Sequence, residues 1–328
     1  MSIIIGGVPS TGSSLLVNIL NRHPDIATGP ETYLFIHKQL YQNWGKYKNR
    51  LIGTGKIFGL KSQGWFIKNG ADLLQTEYGW DRANLKRIIQ ESPDFIQFAE
   101  NYFSKNLANQ NAQIWIEKSP SNAIALKEFL NHFPKGKVIH TCRNPYDTVA
   151  SLMSRGMNVY NAVAVYLVNS ALALRAETGK YYEIKYEKLV NLPEQELRIL
   201  LGFCNLNFDE KILEGETAKT QKMPGWKQNE RGAIQKSSLG RFYDLTDHQR
   251  EMIKATFATL KINKKWADKI DLKYLNAPDL FERLDYKFMN DIKFDIRHIL
   301  KKMQRQDILQ RTFRLYPSHF WNYPLEIL

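Results

Sequence analysis

Residues 3–20 read IIIGGVPSTGSSLLVNIL: a β-branched run, a glycine-rich turn and the start of a helical pattern. The isoleucines suit a buried strand, the Gly, Pro and Ser residues stop it, and from Ser13 onward apolar residues recur at helical spacing. Gly7, Gly12, Ser13 and Ser14 fit G-x-x-x-x-G-K-[ST], except that Ser13 stands where a nucleotide triphosphatase carries lysine. A strand feeding such a turn into a helix aims several N–H groups and the positive end of the helix macrodipole at one point. An anion belongs there: Gly12 admits a close approach, and the Ser13 and Ser14 hydroxyls add donors. A glycine turn that binds nothing is the competing reading of this pattern taken alone.

Outward from this stretch, short apolar runs recur at SIIIGGV, KIFGLKS, QIWIEKS, KVIHTC and YYEIKY, each bounded by turn residues or followed by a helical pattern. Helical patterns cover Ser13–Arg22, Phe95–Ala108, Ala123–Asn131, Pro145–Arg155, Val159–Thr178 and Pro193–Cys204. The alternation predicts an α/β fold with a mostly parallel sheet flanked by helices. Polar sequence from Glu214 to Lys236 reads as a long functional loop. Beyond Leu245 the character changes, and Leu284–Phe313 reads as amphipathic helix, with Phe288, Ile292, Phe294, Ile299, Met303, Ile308 and Leu309 among charged residues. We therefore expect an α/β domain over 1–245 and a mainly helical extension over 246–328. Core packing is the first reading of that extension, and docking to a partner or membrane the second.

The 328-residue chain is long enough for a sizeable core, and its formal net charge is +13. That field would attract phosphate or sulfate groups, nucleic acid or an anionic membrane, or serve only as a solvated surface. Cys142 and Cys204 are the two cysteines, too few for a disulfide framework or a thiolate metal cluster. The first apolar run has no basic leader and breaks at glycines, so neither a signal peptide nor a transmembrane segment is expected, and the expected setting is cytoplasmic.

A second anion site is legible in KVIHTCRNPYDTVASLMSRG. A strand ends at Arg143, Asn144 and Pro145 suit an N-cap and first helical position, and Ser151 and Arg155 follow on that helix. Arg143 then stands at the carboxyl edge of the sheet, where open α/β folds bind ligands, and a guanidinium there can pair bidentately with phosphate. By itself Arg143 suits a structural ion pair equally well.

In this order, GGVPSTGSSLL, GPET, EKSP and RNPYDTVAS resemble a sulfotransferase that uses the donor PAPS, and most closely the branch of tyrosylprotein sulfotransferases and bacterial relatives. The resemblance runs from Ile3 to Leu245 and implies a P-loop-like domain. It places the donor's 5′-phosphosulfate on Pro9, Ser10, Thr11, Gly12, Ser13 and Ser14, and its 3′-phosphate on Arg143 and Ser151, with Arg155 one turn later. Tyr186 in KYEKL matches an aromatic that contributes to nucleotide binding, and QKSSLGRF nominates Ser238, Gly240 and Arg241.

Sulfuryl transfer needs an in-line acceptor, a base for its proton and donors for charge on the departing oxygen, with no metal required. The resemblance gives the base to Glu31 of GPET and the leaving-group charge to Lys118 of EKSP. It is departed from at Ser10, where the pattern most often has Lys or Arg, so Lys118 and the helix dipole would supply more of the stabilisation. His23, before a proline at a helix end, suits a structural cap better than an alternative base.

The function expected is sulfuryl transfer from PAPS, leaving PAP, to a hydroxyl or amine of a small metabolite or carbohydrate. A P-loop kinase or nucleotide hydrolase is the enzyme alternative, weakened by the missing loop lysine and the absence of a Walker-B aspartate at a strand end. A catalytically inert polyanion-binding protein is the third. No stacked-aromatic RNA signature or helix-turn-helix pattern supports nucleic acid. Aromatics in TYLF, in GLKSQGW and at Trp226 can line an acceptor pocket or fill the core. The oligomeric state is not legible.

Overall fold

All six residues of the strand Ser2–Gly7 (β1) are buried, because helices cover both faces of the sheet it centres. The protein is described here from a computed structural model that covers residues 1–51, 55–57, 60–62, 77–214, 234–293, 295–313 and 324–328. The further strands are β2 (Ile26–Thr28), β3 (Gly55–Ile57), β4 (Leu60–Ser62), β5 (Ile114–Lys118), β6 (Lys137–Cys142), β7 (Tyr181–Lys185), β8 (Leu260–Ile262) and β9 (Leu325–Ile327). Five of them form the central sheet in the order β2-β5-β1-β6-β7, and every pair is parallel. The mostly parallel α/β architecture expected from the sequence is therefore present.

Alternation along β1 divides the core. Ile3 and Ile5 join Leu16, Ile19, Ile116 and Ile139 on one face, while Ile4 joins Trp115, Phe129 and Val138 on the other. Phe35 of TYLF is fully buried, 5.8 Å from Trp115 between ring centroids, so it fills the core and lines no acceptor pocket. Trp65 and Trp226 lie outside the described residues, as does most of the expected Glu214–Lys236 loop.

Three expectations about elements are corrected. KIFGLKS adds no strand to the parallel sheet; β3 and β4 pair antiparallel with each other. At three residues each, neither strand is long enough to cross the core. Ile26–Thr28 supplies an edge strand of the central sheet instead, too short to show a period. Leu284–Phe313 is not one helix: the helix is Arg297–Phe313, and a separate one, Ala277–Arg283, precedes it. Asp285 ends the earlier helix in the left-handed region at φ 56°, which a short polar side chain tolerates.

The segment beyond residue 245 shares an apolar cluster with the sheet's helices. Phe257, Phe281, Ile296 and Leu300 pack with Tyr146, Tyr166 and Leu167, and Phe288, Ile299 and Met303 are partly buried against them. Ile292 is 39% exposed. At the centre lies the helix Val159–Leu174, apolar nearly all round and buried for that reason.

Register fixes where ligands can bind. Ile5 is opposite Lys118 and Gly7 is opposite Thr141, so the ends of β5, β1 and β6 lie together at the carboxyl edge. From β1 the chain crosses to β2 and β5 on one side; from β6 it continues to β7 on the other. The reversal opens a crevice between β1 and β6, the position where doubly wound sheets take ligands.

Candidate active site

The turn after β1 is shaped by close contacts that exclude larger residues. A Cβ on Gly7 would lie 2.3 Å from Thr141 Oγ1, and one on Gly12 would lie 2.5 Å from Tyr186 Cδ2. Gly12 also has φ +90°, a conformation that L side chains rarely adopt, and it opens the helix Ser13–Leu20 without a side-chain cap. The first N–H groups of that helix therefore remain available to an anion. Thr11 Oγ1 donates to the Val8 carbonyl at 2.7 Å and accepts from Thr141 Oγ1 at 2.7 Å, tying the turn to β6. Ser10 has φ +79°; its carbonyl accepts from Arg143 Nη1 at 2.9 Å, while its Oγ is buried with no hydrogen-bond partner among the described residues.

Glu31 and Lys118 meet beside this turn. Lys118 Nζ donates to Glu31 Oε1 and, at 3.2 Å, to Ser14 Oγ. Glu31 Oε2 accepts from the Tyr33 hydroxyl at 2.6 Å. Lys118 is 1% exposed and Glu31 9%, so the pair is desolvated and its attraction is little screened. Burial, and then Glu31, push the Tyr33 phenol far above its usual value, so it remains a neutral donor.

Glu117, the residue before Lys118, points to the other side of β5 and holds the loop that carries Glu31. Its Oε1 accepts from Thr32 N and Oγ1, each at 2.9 Å, and from Ser119 Oγ at 2.6 Å; its Oε2 accepts from Asn122 Nδ2 at 2.6 Å. Ser119 Oγ in turn accepts from Tyr33 N at 3.1 Å. Burial raises the Glu117 carboxyl's pKa, and these hydrogen bonds oppose the rise.

On the β6 side, Asn144 caps the helix Pro145–Met153 by accepting from the N–H groups of Tyr146 and Asp147. Arg143, 3% exposed, donates to the carbonyls of Ser10 and Ser238, and its guanidinium carbon lies 5.1 Å from the Tyr186 ring centroid. Its Nε is buried without a partner among the described residues. Arg241 bridges Ser151 Oγ at 3.3 Å and Ser238 Oγ at 3.1 Å. The loop bearing Ser238, Gly240 and Arg241 is pinned by Asp147, which accepts from Gly240 N at 2.8 Å and Phe242 N at 2.9 Å. Partial burial of its guanidinium, and then the charge of Arg241, lower the pKa of Arg155.

The residues singled out in the sequence thus fall into two groups joined by the turn: Ser14, Glu31 and Lys118 on the β5 side, and Ser10, Arg143, Ser151, Tyr186, Ser238, Gly240 and Arg241 on the β6 side. Pro9 lies in the connecting turn, Ser13 opens the helix that follows it, and Arg155 follows the helix Pro145–Met153. His23 is taken up elsewhere, with Nε2 3.0 Å from the Asn207 carbonyl and Nδ1 accepting from Asp25 N. Glu117, Thr141 and Asp147 were missed. A glutamate inside an otherwise apolar strand was the available signal for Glu117.

Among the described residues, one group has the ligand spacing for a metal ion: His140, Cys142 and Glu183, within 4.8 Å of one another. Their polar atoms are already engaged, with Tyr181 hydroxyl 2.7 Å from His140 Nδ1 and Arg283 3.5 Å from Glu183.

The Sulfotransferase family matches residues 2–210, nearly two thirds of the chain. The chain belongs to the sulfotransferase family. That membership sets aside the kinase alternative. The matched span contains Glu31, Lys118, Arg143, Ser151, Arg155 and Tyr186, whereas Ser238, Gly240 and Arg241 lie beyond it. Among sulfotransferase-family relatives, protein-tyrosine sulfotransferase A of Caenorhabditis elegans is 25% identical over 234 residues, covering 65% of this chain and 52% of that protein. Nodulation protein NoeE of Sinorhizobium fredii (strain NBRC 101917 / NGR234) is 26% identical over 224 residues, covering 60% of this chain and 48% of that protein. The chain therefore spans about half the length of these relatives. A sulfotransferase domain from the Synechococcus PCC 7002 olefin synthase superposes with a TM-score of 0.49 at 22% identity, over 75% of this chain and 88% of that one. Among the described residues, no helix is long and apolar enough to cross a membrane.

Proposed function

We propose that the protein moves a sulfuryl group from PAPS to a hydroxyl or amine of a small metabolite or carbohydrate by in-line displacement, releasing PAP. The observation that carries this reading is the contact of Lys118 with both Glu31 and Ser14 at the mouth of the glycine turn. It joins a base, a cation and an anion cradle in one place. The residues fit an anionic donor: Ser10 Oγ and Arg143 Nε, in the turns after β1 and β6, are buried polar atoms without partners among the described residues. PAPS when bound supplies an activated S–O bond whose departing oxygen carries negative charge.

The turn from Pro9 to Ser14 would hold the 5′ end through backbone N–H groups and the helix dipole. Arg143, Ser151 and Arg241 would hold the 3′-phosphate, with Tyr186 packed beneath the turn. Glu31 takes the acceptor's proton. Lys118 offsets charge on the departing oxygen, a role that Ser10 lacks the charge to share. Tyr33 keeps one carboxylate oxygen of Glu31 hydrogen-bonded until an acceptor takes its place.

The domain division, 1–245 as transferase and 246–328 as a bracing extension, belongs to the same proposal, as does a cytoplasmic setting, which the two buried free thiols support. A protein tyrosine is the second acceptor reading, favoured by the phenol already seated on Glu31 and by the relatives named for tyrosine sulfation. An assay of donor consumption against a panel of sugars, amines, simple phenols and tyrosine peptides, with products read by mass, separates the two. Stabilisation by PAP but no consumption with any acceptor would leave only an inert polyanion-binding protein.

A further inference from the structure

The Tyr33 hydroxyl donates to the proposed base, 2.6 Å from Glu31 Oε2. The other oxygen of the same carboxylate accepts from Lys118 Nζ, which reaches Ser14 Oγ on the anion cradle. Cradle, cation, base and phenol therefore form one continuous chain of contacts. An acceptor oxygen that gives its proton to Glu31 must approach that carboxylate, and a phenol oxygen already occupies such an approach.

The placement is held in position against a backbone preference. Tyr33 has φ +54°, in the left-handed region that a bulky L residue seldom enters. The conformation is fixed from both sides: Tyr33 N donates to Ser119 Oγ, and Thr32, the residue before it, is bound twice by Glu117. Tyr33 as a whole is half-buried, and its hydroxyl is in contact with Glu31.

We propose that Tyr33 is a sulfation site of the protein's own making: with donor bound and no other acceptor present, the Tyr33 hydroxyl receives the sulfuryl group. The inference rests on the transfer reading above and extends it to this chain as substrate. In the step, a bond forms between the Tyr33 phenol oxygen and sulfur while the bond from sulfur to the 5′-phosphate oxygen of PAPS breaks. The phenol proton passes to Glu31, and the electron pair of the broken bond leaves with PAP beside Lys118. No oxidant, reductant or further reactant is needed. The neutral phenol requires a base for this, and Glu31 is in contact with it. The product, a sulfate ester on Tyr33, would fill the acceptor position and add negative charge beside Glu31, so modification is limited to one group per chain and closes the site to further acceptors.

The test uses the whole chain incubated with PAPS and no acceptor, then digested and read by mass. The expected result is the mass of one SO3 group on the peptide carrying Tyr33, matched by an equal amount of PAP. The label should be lost in Tyr33→Phe and slowed at least tenfold in Glu31→Gln. Calorimetric titration with PAP checks that both variants retain the fold and the donor site. A label on another residue overturns the proposal, as does none in a protein that sulfates an external acceptor. No label together with no turnover of any acceptor overturns both this inference and the reading on which it rests.

Discussion

Lys118 and Glu31 lie 87 residues apart in the chain and form a buried ion pair at the end of β5, with Lys118 also bonded to Ser14. Removing one member leaves the other charged and desolvated, at a cost of about 3–5 kcal/mol. Lys118→Met should therefore lower both turnover and thermal stability. The double variant Lys118→Met with Glu31→Gln should recover much of the stability and none of the turnover, because neither side chain is then charged. Recovery of turnover in the double variant would remove both residues from the chemistry.

For Glu31 alone, Glu31→Gln keeps the shape and removes the basicity. Transfer should fall by about two to four orders of magnitude while PAP affinity stays near normal. A phenol acceptor, more acidic than an alkyl hydroxyl, should lose less. Equal losses would recast Glu31 as a group that orients the acceptor.

Arg241 offers a cleaner probe of the 3′-phosphate than Arg143, which also ties Ser10 to Ser238. Arg241→Met should weaken PAP by about tenfold or more and leave adenosine 5′-phosphosulfate, which lacks that phosphate, nearly unchanged. Calorimetric titration of both ligands decides it; an equal loss for the two would place Arg241 outside the 3′ site.

Much of this arrangement was legible in the sequence, and its gaps have physical causes. Arg143 could be placed because a β-branched strand, Asn144 and Pro145 fix the edge on which it stands. The Glu31–Lys118 contact carries no local sign, since strand register brings the two together; only the family resemblance suggested their shared site. Glu117 and Asp147 act on backbone N–H groups of distant loops, contacts that leave no periodicity to read. Ile26–Thr28 is too short for alternation to mark it, and the apolar residues scattered after Leu284 did not reveal that the helix begins only at Arg297.

Glu117→Gln tests the support behind Glu31. The amide would turn donors toward at least one of the groups that now donate to Glu117, leaving buried polar groups unsatisfied at about 1–3 kcal/mol. Turnover should fall with little change in PAP affinity, and chemical denaturation should show the loss of stability. Wild-type turnover in this variant would make Glu117 a structural residue alone.

His140 sets a pH dependence for stability. Burial, and then Arg283, lower its pKa from 6.5 to about 3. Below pH 6.5 the unfolded chain takes up a proton that the folded chain refuses until about pH 3. The contribution is thus fully present above 6.5 and is lost as the pH falls through that window, by about 2 kcal/mol at pH 5. Urea unfolding at pH 7 and pH 5 should show this difference in the wild type and a smaller one in His140→Gln. The same slope in both would assign it to other groups.

The shared hydrogen bond between Thr11 and Thr141, with Gly7 packed against Thr141, has a consequence for what the crevice can accept. The two anion-holding loops spring from adjacent strands and are cross-linked at their roots, so their separation is set by the sheet. The crevice works as a caliper with its jaws locked. A nucleotide whose second phosphate sits on the 2′ carbon brings the same charge and the same base, yet presents the phosphate at a different span, and its rejection would be a matter of length alone.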